Sequence, residues 1–365
     1  MKVLILAQTP PPYHGQAVMQ ASLVKAVWNW CDKIHIRLDY SDSIENVGKL
    51  RFAKLAKLVA VVVKVYKERA KGKVDVLFYP PAGPHRVPFY RDFLTLFLVR
   101  WCTEKVVFQF HAGNFNGLFD KLNTLEKILA KAAYGSPDAA IVLLPSLENE
   151  VRWIGPRRTF IVPNGIEDQF NSYPKHRRAN SQKILFVGSL SEKKGIVHCL
   201  EAAKILREAD NEFVFNFVGE WGSKSLQKNS EEYVHENKLG DCIVFLGPKD
   251  GSDKWSLFSD ADIFCMPTYD TEAMPMTIIE AMMMSLPVVT TRWRSIPHII
   301  ADGEHGFLVP TRDSSALADK LSTLLQNSKL GEELGRRGRM KYLKEYSIEN
   351  HLAKMEEVFK IVAGV

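Results

Sequence analysis

Residues 261–291 read ADIFCMPTYDTEAMPMTIIEAMMMSLPVVTT and contain a complete strand–helix–strand unit. ADIFCMP (261–267) and LPVVTT (286–291) are short apolar runs typical of buried strands, and the residues between them include a stretch with helical spacing. Because neighbouring strands joined by a helix run parallel, the stretch predicts a parallel α/β sheet. Its loop also places two glutamates, Glu272 and Glu280, on either side of a proline.

The same alternation of short apolar runs and helical patterns extends through the whole chain. Apolar strands that alternate with helices are typical of parallel sheets covered on both faces. We therefore predict an α/β protein of two Rossmann-like domains that face a central cleft. Besides the two strands above, the predicted strands are residues 3–7, 74–79, 105–110, 139–144 and 159–163 in the first half and 183–188, 213–219 and 242–247 in the second.

Length and composition agree with two ordinary globular domains. The chain has 365 residues, of which 46% are hydrophobic and 25% charged, and a single core rarely extends beyond about 250–300 residues. The first apolar run, VLILA (3–7), is too short for a signal peptide, and no run approaches the roughly 18 apolar residues of a membrane-spanning helix. The five cysteines are scattered without a C-x-x-C pair, which favours a reduced, cytoplasmic protein and argues against a zinc site.

Basic residues are concentrated in the first half of the chain. Residues 1–180 hold 26 lysines and arginines against 15 acidic residues, whereas residues 181–365 hold 22 against 27. This excess suggests an anionic ligand or surface for the first half. Chance variation among solvated side chains is the competing explanation.

The helix predicted in KLRFAKLAKLVAVVVKVYKER (49–69) is amphipathic and basic. We expect its apolar stripe to pack on the first sheet. The lysines on a separate face are then free to meet anionic lipid, which predicts peripheral contact with the inner face of a membrane through the first domain. The predicted stripe is Phe52, Leu55, Val59, Val62 and Tyr66, and the lysines are Lys54, Lys57, Lys64 and Lys67.

Loops at the carboxyl ends of parallel strands form the ligand sites of such sheets. In the second half, three strands end on a glycine, at Gly188, Gly219 and Gly247. Three such turns in one domain favour a nucleotide or phosphate site. The loop that contains Pro275 and Thr277 leads into a helix, whose first backbone N–H groups attract a phosphate.

Glu272 and Glu280 flank this predicted phosphate position. A carboxylate accepts hydrogen bonds from a pair of hydroxyls, and a sugar nucleotide carries polyols on both sides of its diphosphate. One glutamate for each side therefore fits that ligand chemically. Taken alone, the two residues are better explained as a loop charge and a solvated helix residue.

The wider context changes that balance, because most of residues 183–345 resemble the carboxy-terminal domain of the retaining glycosyltransferases of family 4, which have the GT-B fold. That family carries E-G-x-P-x-x-x-x-E-A, then a G-x-P-V-V strand and a D-G-x-x-G loop, with F-x-G-R-L-x-x-x-K-G upstream. The corresponding stretches here are EAMPMTIIEA (272–281), SLPVVTT (285–291), DGEHG (302–306) and FVGSLSEKKG (186–195). In the first half the resemblance is limited to PPPYHGQ (10–16), FHAG (110–113) and VPNGIE (162–167).

The resemblance implies a domain plan and a role for each matched residue. Residues 1–167 would bind the acceptor and 183–345 the donor, with 168–182 as linker and a final helical segment, 346–365, that packs back on the first domain.

Glu280 would hold the ribose hydroxyls and Glu272 would contact the transferred sugar. Lys194 would neutralise the leaving diphosphate, and His111 would lie near the reacting carbon. The remaining donor-binding residues are Gly15, Gly188, Ser189, Gly219, Leu246, Met274, Pro275, Met276, Thr277 and Arg294.

The chain departs from the family pattern at Ser189, which stands where the motif has an arginine. The departure removes one positive charge from the diphosphate. In the loop TRWRSIPHI (291–299), Arg294, or else Arg292, is our hypothesis for a partial replacement. Solvated surface arginines are the competing interpretation.

Asp260 and Asp262 spell D-x-D, which marks a metal site in other glycosyltransferase folds, but here they match an ordinary D-A-D before a strand. We expect no metal and no cofactor, with a nucleoside diphosphate sugar as the donor substrate and no nucleic-acid partner.

The preferred function is a retaining, metal-independent hexosyltransferase that acts on a carbohydrate or lipid-linked acceptor in polysaccharide or glycolipid biosynthesis. Two alternatives stay open. A sugar-nucleotide 2-epimerase-like isomerase shares the two-domain architecture and would form product without an acceptor. A catalytically silent nucleotide-sugar-binding module would not turn the donor over.

Overall fold

The computed structural model describes residues 1–11, 15–38, 52–174 and 182–365, without the side chains of residues 52–55. The chain divides into two compact units. The first contains Met1–Gly165, Glu272–Met274 and Ile348–Val365, and the second contains Ile166–Thr271 and Pro275–Ser347.

The first unit is built on a parallel sheet of six strands. Its inner strands consist largely of buried apolar residues because helices cover both faces, and Val76–Tyr79 is fully buried. The strand order is β2-β1-β3-β4-β5-β6. The strands are β1 Lys2–Ala7, β2 Asp32–Arg37, β3 Val76–Tyr79, β4 Lys105–Phe110, β5 Ala139–Val142 and β6 Thr159–Ile161.

The last helix of the chain completes the core of this first unit. Phe359 on that helix packs its ring 5.4 Å from the ring of Phe78 and 5.2 Å from that of Trp28. At the end of the helix, the Lys105 ammonium donates to the Val362 carbonyl at 2.6 Å. The helices of the unit are α1 Gly15–Lys25, α2 Phe52–Ala70, α3 Arg86–Val99, α4 Phe115–Asp120, α5 Thr124–Tyr134 and, at the chain end, α13 Ile348–Ala363.

The second unit repeats the architecture with a parallel sheet in the order β12-β11-β10-β7-β8-β9. Its strands are β7 Gln182–Val187, β8 Phe213–Val218, β9 Ile243–Gly247, β10 Ile263–Met266, β11 Val288–Thr291 and β12 Gly306–Val309. Its helices are α6 Ile196–Glu208, α7 Lys224–Glu236, α8 Gly251–Asp260, α9 Met276–Met283, α10 Ile296–Ile299, α11 Ser314–Gln326 and α12 Ser328–Glu345. The opening stretch of the sequence is β10, α9 and β11, with β10 and β11 paired in parallel.

The structure adds two strands that the apolar pattern did not predict, β2 and β12. Both lie at an edge of their sheets. An edge strand is covered less completely and needs no continuous apolar run, and β2 reads DKIHIR with one fully buried residue. The remaining strands were predicted to within two residues at each end.

The stretch predicted as a linker, 168–182, begins inside the second unit. The carboxylate of Asp168 pairs with the guanidinium of Arg339 at 2.6 Å. Residues 175–181 lie outside the described residues, as do residues 12–14 of the proline-glycine loop.

The predicted apolar stripe of α2 is wrong by one helical position. Val59 and Tyr66 are 53% and 52% exposed, whereas Leu58, Val61 and Val65 are buried. The apolar run from Leu58 to Val63 offers more than one helical register, so spacing alone could not choose between them. The side chains of Phe52, Lys54 and Leu55 lie outside the described residues.

Within the described part of the chain, no helix combines the length and apolar character needed to cross a membrane.

Candidate functional site

The carboxyl ends of β7, β8 and β9 lie side by side and are joined by glycine backbone. Gly219 has φ +149°, and a Cβ atom on it would lie 1.8 Å from the carbonyl oxygen of Gly188. The Gly219 N–H donates to the Gly247 carbonyl at 3.0 Å. Only glycine permits this approach, so the loops that follow the three strands leave the sheet edge close together. Leu246, one residue earlier on β9, is half-buried and brings no polar group to this edge.

The turn after Gly188 is held against the end of β10. A Cβ atom on Gly195 would lie 2.5 Å from the Pro267 carbonyl oxygen. The carbonyl of Lys193 accepts from the Tyr269 N–H at 2.8 Å. This turn carries Lys194, whose side chain is 9% exposed. A lysine that is buried at the carboxyl edge of a sheet is placed to neutralise an anion there.

The amino end of α9 joins the same edge. The Thr277 hydroxyl contacts the Met266 sulfur at 3.5 Å, and a Cβ on Gly188 would lie 3.8 Å from that sulfur. Pro275 is the residue before the first helical turn, with extended backbone. The structure therefore brings Gly188, Thr277 and the first amides of α9 together, as a phosphate site at a helix amino terminus requires.

Glu280, one turn further along α9, is largely buried. One carboxylate oxygen, Oε1, accepts from the Lys254 ammonium at 2.8 Å. The other, Oε2, is buried without a hydrogen-bond partner among the described residues. Burial raises the pKa of Glu280, and the Lys254 charge lowers it in part. Sequence reasoning assigned Glu280 to the site and missed Lys254, since no spacing rule connects residues on two different helices.

The loop after β11 is anchored to the loop that precedes α9. The Trp293 indole N–H donates to the Asp270 carbonyl at 3.0 Å. Arg292 pairs with the Asp302 carboxylate at 2.7 Å. Of the two arginines considered as replacements for the positive charge missing at Ser189, Arg292 is thus already bound to an acidic residue. Arg294 is exposed, with its guanidinium carbon 5.8 Å from the centroid of the Trp293 ring. Ser189 is exposed as well.

The D-x-D aspartates contact Lys183, the second residue of β7. Asp262 accepts from the Lys183 backbone N–H at 2.8 Å, and Asp260 pairs with the Lys183 ammonium at 3.3 Å. Both contacts join the starts of neighbouring strands, at the sheet edge opposite the glycines.

In the first unit, His111 follows β4 directly. The Gln20 side-chain amide lies 2.9 Å from His111 Nε2 and 3.0 Å from Gln109 Oε1. Because an amide N–H donates, His111 Nε2 accepts from Gln20 in this arrangement. Sequence reasoning did not single out Gln20, which is 1% exposed.

The remaining predicted residues are Gly15 of the first unit and those of the loop from Glu272 to Thr277, which was predicted for the donor-binding domain. Gly15 is the first residue of α1, and a Cβ on it would meet open space. Glu272 and Met274 are grouped with the first unit, whereas Pro275, Met276 and Thr277 belong to the second.

Comparison with known proteins locates the similarity in the second unit. The family profile described as "Glycosyl transferases group 1" matches residues 168–341. The region contains the strand-end glycines, Lys194, Lys254 and both glutamates.

Two curated relatives match a similar part of the chain. The putative colanic acid biosynthesis glycosyltransferase WcaL of Escherichia coli is 31% identical over 47% of this chain and 43% of its own length. The phosphatidyl-myo-inositol mannosyltransferase of Mycobacterium leprae is 32% identical over 47% of this chain and 45% of its own length. The chain thus spans less than half the length of these relatives.

A solved structure matches over nearly the whole chain. Anabaena HepE in complex with UDP and glucose superposes with a TM-score of 0.73 at 16% identity and covers 99% of each chain. The likeness shows that this chain has the GT-B fold.

The close approach of Gly219 to the Gly188 carbonyl allows a prediction about stability. Gly219→Ala should lower the free energy of unfolding by at least about 2 kcal/mol, because the added methyl group clashes with backbone and φ is unfavourable for alanine. Urea denaturation followed by tryptophan fluorescence measures the change. Gly240→Ala is the matched control, since a Cβ at Gly240 meets nothing within 4 Å. Equal stability of the two variants would contradict the crowding at this edge.

Proposed function

We propose that the protein is a retaining, metal-independent glycosyltransferase that moves a hexosyl group from a nucleoside diphosphate sugar to an acceptor in polysaccharide or glycolipid biosynthesis. The observation that carries the proposal is the buried carboxylate of Glu280. It lies one turn beyond the amino terminus of α9, at the sheet edge where Gly188, Gly219 and Gly247 end their strands. This arrangement lies inside the region that matches the glycosyltransferase family profile.

The second unit supplies the donor site in this proposal. The diphosphate binds at the amino end of α9, where the backbone N–H groups of the first turn and the helix dipole favour an anion. Lys194 supplies the positive charge, and the glycines at the strand ends let backbone approach the phosphates. Glu280 accepts hydrogen bonds from the ribose hydroxyls. The printed names of relatives and of the HepE complex, with its UDP and glucose, support a nucleotide sugar over other phosphate ligands.

The proposed chemistry is breakage of the sugar–phosphate bond through an oxocarbenium-like transition state. Stabilisation of the leaving diphosphate is then the main catalytic contribution. Glu272 contacts the transferred sugar, and His111 contacts the sugar or the acceptor near the reacting carbon. A leaving phosphate oxygen takes the acceptor proton, with retention of configuration. The names of the relatives support transfer over the epimerase alternative.

The two glutamates should respond differently to the same substitution. Glu280→Gln should weaken binding of both the free nucleoside diphosphate and the sugar nucleotide by about tenfold or more, because an amide accepts fewer hydrogen bonds than a carboxylate. Glu272→Gln should leave binding of the free nucleoside diphosphate unchanged and should lower turnover. Calorimetry with UDP, GDP and ADP and their glucose or mannose conjugates measures the binding.

Turnover in excess EDTA checks the metal independence in the same preparation. Equal losses for both ligands in Glu272→Gln would contradict its assignment to the sugar. Complete loss of activity in EDTA, restored by magnesium or manganese, would overturn the proposed mechanism.

We further propose that Arg294 partly replaces the positive charge missing at Ser189. Support comes from the loop geometry: Trp293 ties this loop to Asp270, two residues before the first glutamate. Arg292 is the weaker candidate because Asp302 already pairs with it.

A double-mutant cycle tests this compensation. Arg294→Ala should lower turnover by about tenfold or more in the natural background and much less when Ser189→Arg is also present, since a second cation then faces the diphosphate. Arg292→Ala is the matched control and should have a small effect in both backgrounds. Additive losses would show that positions 189 and 294 act separately.

For the acceptor side, we propose peripheral binding to an anionic membrane surface through α2 and α3. Lys64 and Lys67 are exposed on α2, and the Tyr66 hydroxyl donates to the Leu98 carbonyl of α3 at 3.1 Å. Exposed apolar side chains flank this contact, and amphipathic helices with lysines beside such side chains bind at lipid interfaces. These side chains are Val59, Val63, Leu94, Phe97, Leu98 and, 72% exposed, Trp101.

Charge reversal should weaken vesicle binding when it is made on this surface and not when it is made elsewhere. Lys64→Glu with Lys67→Glu should weaken binding to vesicles containing phosphatidylglycerol by about tenfold or more, since each lysine near such a surface contributes about 1 kcal/mol. Lys224→Glu with Lys228→Glu on α7 is the matched control and should bind like wild type. Sedimentation with vesicles measures both, and wild-type binding to neutral vesicles of equal strength would refute the proposal.

A further inference from the structure

Lys254 lies where the secondary structure by itself would not favour a lysine. It is in the first turn of α8, directly after the loop that follows Gly247. The amino end of a helix carries a partial positive charge, so an acidic residue is favoured there and a cation is not. The position of Lys254 is explained instead by its partner, Glu280 on α9.

The pair is close and largely shielded from water. The ammonium of Lys254 is 2.8 Å from Glu280 Oε1, and the two side chains are 21% and 12% exposed. The ammonium also lies 4.2 Å from the centroid of the Trp255 ring, a cation–π contact. A buried ion pair is weak evidence for stability, because removing two charges from water offsets the attraction between them. Stability therefore does not explain why the Lys254–Glu280 pair lies at this sheet edge, and a functional role does.

The two oxygens of Glu280 are not equivalent. Oε1 is bound to Lys254, whereas Oε2 is buried without a hydrogen-bond partner among the described residues. A buried acceptor that is left without a donor costs about 1–3 kcal/mol. A ligand with paired hydroxyls satisfies such an oxygen, and it requires the carboxylate to be ionised, since a protonated carboxyl accepts fewer hydrogen bonds.

We infer that Lys254 is a positioning residue of the donor site: it holds the ionised Glu280 carboxylate through Oε1 and leaves Oε2 to accept from the ribose diol of a nucleoside diphosphate. The inference rests on the proposed function, because it assumes that a nucleotide binds at this edge. It adds a residue that orients Glu280 without contacting the diphosphate.

The charged groups around Glu280 make the inference accessible to a pH titration. Burial raises the pKa of Glu280, and Lys254 is the charged side chain that opposes this shift. Strands β10 and β11, which pack against α9, carry Cys265 as their titratable residue. On α12, the guanidinium of Arg339 binds Asp168 and the Met283 carbonyl at the end of α9.

The test compares Lys254→Met, Lys254→Arg and Lys183→Met with wild type. Lys183 forms the other lysine–carboxylate pair described above, with Asp260 at the opposite sheet edge. Infrared difference spectra against Glu280→Gln report protonation of Glu280 without any ligand, and calorimetry with UDP, GDP and ADP reports affinity from pH 5.5 to 8.5.

In Lys254→Met the pKa of Glu280 should rise further. The dissociation constant of Lys254→Met for the nucleotide should therefore exceed that of wild type by about tenfold or more at low pH. The difference should become smaller as rising pH ionises the carboxylate. Lys254→Arg should restore most of the affinity, and Lys183→Met should bind like wild type. In the Glu280→Gln background, Lys254→Met should cause little additional loss.

The unfavourable outcomes are distinguishable. An unchanged pKa of Glu280 in Lys254→Met, a loss of affinity that is the same at every pH, or a full additional loss in the Glu280→Gln background would overturn the role of Lys254 alone. Wild-type protein that binds none of the three nucleotides would refute the donor site itself, and the inference with it.

Discussion

The candidate site depends on one constraint, which is that the strands of the second parallel sheet all end at the same edge. In a parallel sheet every strand must end at the same edge, so the loops after β7, β8, β9 and β10 converge although they are far apart along the chain. Gly219 makes the convergence tight because its Cα lies against the Gly188 carbonyl, where no side chain fits. Lys194, the amino end of α9 and Glu280 are all positioned relative to this glycine contact.

Burying a carboxylate at this edge carries a cost in stability. Because burial raises the pKa of Glu280, folding favours its protonated form. Its contribution to stability is then most favourable below the ordinary glutamate pKa and is lost as the pH rises through the raised value. Ionising the buried carboxylate carries a desolvation penalty, and the charge of Lys254 offsets part of it. Such local cost is typical of sites that must receive a ligand.

The first unit uses the same sheet architecture with a different distribution of exposed groups. Its core closes around Phe78 and Phe359, the latter from the last helix of the chain. Its helices α2 and α3 leave apolar side chains exposed beside lysines. The second unit thus has its chemical groups at strand ends, whereas the first combines a strand-end histidine with an amphipathic outer surface. The proposed donor site accordingly lies in the second unit, and the proposed membrane-binding surface lies in the first.

The sequence by itself determined the parallel α/β architecture, because buried strands between two layers of helices need apolar runs that local pattern reveals. It also predicted the strand-end glycines, Lys194 and Glu280 through motifs whose spacing is local. The edge strand β2 escaped prediction since a half-covered strand needs no such run, and the four-residue apolar strand β12 was not recognised. The register of α2 escaped it because consecutive apolar residues allow more than one buried face. Only the tertiary structure decided that Lys254 pairs with Glu280, that Arg292 is bound by Asp302 and that Gln20 contacts the ring of His111. Each of these contacts joins residues from different elements, and their distance in space depends on how helices pack on the sheet, which no local spacing encodes.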